Sequence, residues 1–188
     1  MDIRRISVKF FLADPASLDL ELVLPVFHRW IQEHRVEGLL VDVADYRHVI
    51  DGPGVLLIGN DADYSLDRGG GRPGLAYARK RAFAADLPAT LRQVFRGALE
   101  GCRLIESEPA LRLRFRTDEA KITFLDRLRA PNRPETFERL KGDIEAVSKK
   151  LYPRGSVTPW GGDPREPLAV RVGGVDAADA AGMIARLG

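Results

Sequence analysis

Two copies of one tripeptide carry the most suggestive chemistry in this 188-residue chain: Ala44-Asp45-Tyr46 and Ala62-Asp63-Tyr64. Each accompanies a short apolar run that reads as a strand, and strand ends are where functional loops gather. His48 lies three residues beyond the first aspartate. A carboxylate oriented against an imidazole makes a general base, so Asp45, His48 and Asp63 are the catalytic candidates. Asp45, His48, Asp61 and Asp63 together would offer oxygen and imidazole ligands to a hard divalent metal. The plainer reading of the same residues is that aspartates cap turns and tyrosines plug the sheet edge.

A second constellation follows directly. Arg68 precedes Gly69-Gly70-Gly71-Arg72-Pro73-Gly74, and Arg79-Lys80-Arg81 comes shortly after. Backbone amides and guanidinium groups suit phosphate or carboxylate. With the two tyrosines, the ligand-binding candidates are Tyr46, Tyr64, Arg68, Arg72 and Arg79. The stretch lacks the Gly-Lys-Ser/Thr of a P-loop and is not a strand–GxGxxG–helix unit. Its plainer reading is a flexible hairpin tip.

Other motifs point to structure. Leu111 to Arg116 alternates strictly, which predicts Arg112, Arg114 and Arg116 at roughly 6.6 Å intervals on one strand face. Such a row would track a nucleic-acid backbone, but no aromatic platform accompanies it. His28 and His34 stand six apart, about 120° from each other on a helix, unlike the i, i+4 pair of a zinc site. Cys102, the single cysteine, lies on an apolar helical stripe and reads as a buried thiol. There is no Gly-x-Ser-x-Gly elbow and no HExxH.

These residues need a scaffold, and the spacing predicts one. Ile6, Val8, Phe10 and Leu12 recur at period two, a first strand. A helix is expected from about Pro25 to Arg35. Leu39–Val43 and Val55–Ile58 read as strands joined through Asp51-Gly52-Pro53-Gly54. Asp63–Leu66 and Leu75–Arg79 are expected to pair as a hairpin. Asp86 and Pro88 start a helix with the stripe Leu91, Val94, Phe95, Ala98, Cys102 and Ile105. Leu111–Arg116 and Lys121–Leu125 are expected to form a hairpin. Phe137, Leu140, Ile144, Val147 and Leu151 mark a third helix. Leu168–Val172 reads as a strand, and Asp176 as the cap of a last helix to Leu187.

The expected fold is therefore α+β, a single domain over residues 1–188. It has a mixed or antiparallel sheet with about four helices packed mainly on one face. A degenerate two-fold β-α-β-β-α repeat is a further expectation, with 38–60 and 155–174 as matching pieces.

Composition sets the outer bounds. The chain is 45% hydrophobic and 30% charged, which excludes wholesale disorder. A net charge of +2 argues against nucleic-acid binding by bulk charge. One cysteine allows no disulfide within the chain, and a reducing cytoplasm suits it. The apolar stretch behind the Arg4-Arg5 pair is interrupted by Lys9 and ends at Asp14-Pro15, too short for a signal peptide. No run approaches the length of a membrane helix. Charge is segregated locally. From Glu37 to Asp67 there are seven carboxylates and one base, whereas Arg68 to Arg116 holds eleven bases and four acids. Mutual pairing of the two segments is the simplest expectation.

The stretch Val41-Asp42-Val43-Ala44-Asp45-Tyr46-Arg47-His48-Val49, with Gly52 to Gly59 and Asp63 to Asp67, resembles an uncharacterised family of small bacterial proteins. The resemblance covers about residues 6–82. That family has no assigned activity and lends no catalytic residues. The leading expectation is a cytoplasmic binding or regulatory module for a small anionic ligand or a protein partner, with a homodimer supported by its apolar helices. The alternative is a metal-assisted or acid–base hydrolase using the Asp/His cluster. A nucleic-acid-associated protein ranks third. No cofactor is specified by any motif.

Overall fold

Ile6 opens the strand around which the sheet is organised. A computed structural model describes residues 3, 5–81 and 86–188. Met1, Asp2 and Arg4 of the opening segment lie outside the described residues. Strand β1 (Ile6–Leu12) pairs antiparallel with β5 (Gly74–Arg79) on one side and β6 (Phe115–Phe124) on the other. That interior place explains why it is buried almost throughout instead of on alternate residues. Ile6, Val8 and Phe10 face one side, while Ser7, Lys9 and Phe11 face the other.

From β5 the sheet continues outward through β4 (Ala62–Asp67), β3 (Gly54–Gly59) and the edge strand β2 (Leu40–Tyr46). From β6 it continues through β8 (Leu168–Gly173) to the short edge β7 (Ser156–Pro159). All seven pairings are antiparallel. Among the described residues, four helices accompany this sheet: α1 (Leu20–Glu33), α2 (Leu87–Glu106), α3 (Pro134–Leu151) and α4 (Ala180–Leu187). They pack on one face, which gives the expected α+β class. Helix α1 lies on β2 and β3, α2 on β1 and β5, and α3 on β7 and β8.

The helix ends follow local chemistry. The Asp86 carboxylate accepts from the Ala89 amide at 2.7 Å and starts α2 as expected. Helix α1 begins five residues before the expected Pro25. Asp19 supplies the cap by accepting from the Glu21 amide, and Pro25 sits inside the helix on its exposed side. Helix α4 is capped by Asp179, which accepts from the Gly182 amide, and not by Asp176. Asp176 is instead held by the Arg154 guanidinium, whose Nε donates to it at 2.7 Å.

The expected hairpin from 111 to 125 does not form. Phe115–Phe124 is one strand, because β1 pairs with its whole length, from Leu12 opposite Phe115 to Ile6 opposite Phe124. The register jumps between Phe10, opposite Ala120, and Phe11, opposite Arg116. Residues 117–119 bulge out at that jump. The arginine row disperses with the hairpin. Arg112 has a left-handed φ of 51° before the strand, Arg114 donates to the Glu106 and Leu113 carbonyls, and Arg116 pairs with Asp118.

Both halves of the chain run strand, helix, meander, helix, and their first strands, β1 and β6, lie side by side in the sheet. The first meander has two more strands than the second. This is a shared order of elements, and duplication stays an expectation of the sequence. The expected hairpins β2–β3 and β4–β5 form in the places the turn residues indicated.

Candidate functional site

Glycines on α2 build the principal pocket. At Gly97 an added Cβ would stand 2.7 Å from the Tyr77 ring, and at Gly101 it would stand 2.7 Å from Leu75 and 2.9 Å from Tyr64. These two positions let α2 lie directly on the tyrosine pair. Tyr64 and Tyr77 face each other across β4 and β5 with ring centroids 4.9 Å apart, edge to face. Trp30 of α1 closes the far side, 6.5 Å from Tyr64 and also edge to face.

Beside this floor opens a cavity of about 400 Å³ between α2, the loop before β2, and the β3–β4 turn. Its polar wall has two signs of charge: Glu37, Asp61 and Glu100 against Arg79 and Arg96. Arg79 is aimed by its own strand, donating from one terminal nitrogen to the Tyr77 hydroxyl at 3.1 Å. Arg96 is aimed by the residue that caps α4, donating to the Gly188 carbonyl at 2.6 Å. Burial is the main reason both phenols are pushed above their ordinary range. At neutral pH they therefore stay protonated and act as hydrogen-bonding groups.

The repeated tripeptides do not converge. Asp45 pairs across β3 with Val55, whereas Asp63 pairs with Ile58. Three rungs separate them, roughly 10 Å along the strands, and an odd number of rungs sends the side chains to opposite faces. Asp45 is locked to Arg47, which donates to both carboxylate oxygens, and this partner pulls its pKa down to about 2. Asp63 accepts from the Gly59 amide at 3.1 Å and pairs with Lys80 at 2.8 Å. Asp61 lines the cavity with Arg81 at 3.9 Å, and His48 sits exposed in the turn after β2. Among the described residues, no three His, Cys, Asp or Glu side chains are grouped to hold a metal ion. The expected convergence of Asp45, His48, Asp61 and Asp63 is corrected by this geometry.

The ligand-binding candidates separate three ways. Tyr64 and Arg79 meet in the cavity described above. Tyr46 and Arg68 line a smaller hollow of about 250 Å³ beneath the β2–β3 turn. Arg72 crosses to the helix-free face and pairs with Glu119 at 2.6 Å. The glycine loop does not present a free amide cradle. The Gly69 amide donates to Asp67, that of Gly70 to Asp51, and that of Gly71 to the Arg68 carbonyl. Arg68 itself donates to the Leu18 carbonyl at 2.6 Å.

The expected charge pairing is partly realised. Asp61 and Asp63 of the acidic segment face Arg81 and Lys80 of the basic one, but Asp67 turns to Lys9 on β1. His28 and His34 are both exposed, His34 ending α1 with a left-handed φ of 50°. Cys102 is fully buried and its thiol is pushed well above the ordinary range by that burial.

Sequence reasoning missed Glu37, Gln93, Arg96 and Glu100. The signal for the last three was present: residues 93, 96 and 100 follow helical 3–4 spacing on α2 beside Gly97. Comparison with known proteins finds no matching family model and no significant match to a curated protein.

Proposed function

We propose that this protein is a binding module for a small zwitterionic molecule, which enters the cavity between α2 and the β3–β4 turn. The observation that carries this reading is the mixed wall over a tyrosine floor. Three carboxylates and two guanidinium groups border about 400 Å³, a volume in the range of small-molecule sites. The wall is acidic by one charge, so a simple anion would meet more repulsion than attraction. A compact molecule with an ammonium group toward Glu37 and Glu100 and a carboxylate toward Arg79 would satisfy both signs. The protonated tyrosines supply an apolar surface for its body. This differs from the small anion expected from the glycine loop, whose amides are already bonded within the protein.

A cytoplasmic setting fits the single buried thiol of Cys102. Exposed Val41 on the edge strand, with Leu39 just before it and Ile50 in the turn after it, supports a second copy as partner, and light scattering on a size-exclusion column reads that state directly.

Calorimetric titration with a panel of free amino acids, matched amines and matched carboxylates tests the binding reading. A zwitterion is expected to bind and raise the melting temperature, while the matched amine and carboxylate bind more weakly. Glu100→Gln is expected to weaken that binding about tenfold, the lower end for a charge-assisted hydrogen bond. Preferential binding of the carboxylates, or affinity unchanged by Glu100→Gln, overturns the proposal.

A further inference from the structure

The helix-free face of the sheet carries an arrangement that strand pairing ordinarily disfavours. Lys9 on β1 stands directly opposite Lys121 on β6, and Lys121 stands directly opposite Arg171 on β8. Three cationic side chains thus occupy one rung across three adjacent strands. Like charges directly opposite each other in a sheet are destabilising, so such a row calls for counter-charge. The two outer members have it. Lys9 pairs with the buried Asp67 at 2.6 Å. Arg171 pairs at 2.7 Å with the buried Glu119, whose other oxygen holds Arg72 at 2.6 Å.

The middle member does not. Lys121 forms no ion pair among the described residues, and its ammonium stands over the Trp160 ring, 5.2 Å from the centroid. Burial first, and the adjacent Lys9 second, hold its pKa below the ordinary lysine range, while Glu166 and Asp67 only oppose this at longer range. Lys9, Arg72, Lys121 and Arg171 against Asp67, Glu119 and Glu166 leave the cluster one positive charge in excess.

The aromatic half of the cluster is assembled beside it. Trp160 is half-buried and lies nearly parallel to the buried Phe11, with centroids 5.7 Å apart and planes 16° apart. The Arg72 guanidinium stands 3.8 Å from the Phe11 centroid. A partly exposed indole next to an ammonium without an ion-pair partner is the pairing that recognises a flat ring bearing an anion.

We propose that this face binds a nucleoside phosphate, with the phosphate neutralising Lys121 and the base stacking on the open part of Trp160. The site lies across the sheet from the tyrosine cavity and takes a different class of ligand. The same chemistry comes from a free mononucleotide or from a single strand of nucleic acid, and the length of the probe separates them.

Trp160 is one of two tryptophans, and the other, Trp30, is fully buried, so indole fluorescence reports on this face. The probes are adenosine 5′-monophosphate, adenosine, inorganic phosphate and a short oligoadenylate. The monophosphate is expected to change the fluorescence saturably, to bind more tightly than adenosine, and to be displaced by inorganic phosphate. Lys121→Met is expected to weaken it about tenfold or more without lowering the unfolding midpoint. Trp160→Leu, followed by calorimetry, is expected to reduce its affinity to that of inorganic phosphate. Tighter binding of the oligoadenylate, with the same dependence on Lys121, supports the proposal and identifies the single strand as the source. No saturable response to either nucleotide probe overturns it, as does binding that Lys121→Met leaves unchanged.

Discussion

The indole nitrogen of Trp30 donates to the Glu108 carboxylate at 2.8 Å, across 78 residues of sequence. Arg29 holds the other oxygen of the same carboxylate. One acidic side chain, only 5% exposed, therefore ties α1 to the segment that leaves α2. Removing it with Glu108→Ala leaves the N–H of a fully buried indole without an acceptor, and the expected loss is about 2–3 kcal/mol. Glu108→Gln keeps an acceptor and is expected to cost about 1 kcal/mol. Urea unfolding of the two variants separates them, and equal losses would refute the role given to this bond.

Adding one methyl group to a helix is expected to have opposite effects at two glycines. Gly142 on α3 has nothing within 4 Å of its added Cβ, so Gly142→Ala gains helix propensity of about 1 kcal/mol. Gly97→Ala gains the same propensity but drives a methyl into the Tyr77 ring. Overpacking of that kind costs about 1–3 kcal/mol, so the net change is expected to be neutral to destabilising. Thermal unfolding checks both, and a stabilised Gly97→Ala variant would mean that α2 is not seated on the tyrosines as described.

Acid sensitivity has a defined window at Asp45. Arg47 depresses its pKa from the ordinary 3.8 to about 2. A depressed carboxylate stabilises the folded state above its unfolded pKa, and that contribution fades as pH falls through the folded value. The effect is thus complete above about pH 4 and lost toward pH 2. Asp118, Asp163 and Asp176 are shifted in the same direction by their own arginines. Asp45→Asn is expected to flatten the fall in melting temperature between pH 4 and pH 2, and added salt is expected to reduce the difference. An unchanged profile in low salt would show that the Arg47 pair is open in solution.

Strong local signals were legible in the sequence where one element determined its own outcome. The stripe on α2, the Asp86 cap and the glycine-bearing turns of the first meander depend on neighbours a few residues away, and they formed as spaced. The failures are those in which a distant partner decided. Residues 111–125 contain two alternating runs and look like a hairpin, but β1 pairs with the end of the first run and with the second along one continuous strand. The repeated Ala-Asp-Tyr looks like a converging pair, but strand register sends the two aspartates to opposite faces. The Lys9, Lys121 and Arg171 row was invisible for the same reason, since each residue is unremarkable within its own segment.

The place of β1 between β5 and β6 also bears on how the chain is made. Strand β1 is synthesised before the other strands of the sheet, yet its second flank can close only after Phe124 has been made, since Ile6 pairs there. Until then an apolar strand has at least one open hydrogen-bonding edge. Such an edge invites pairing with other chains. A nascent chain halted before Phe115 would leave the edge open permanently, so premature termination ahead of β6 would yield aggregates instead of a smaller folded protein.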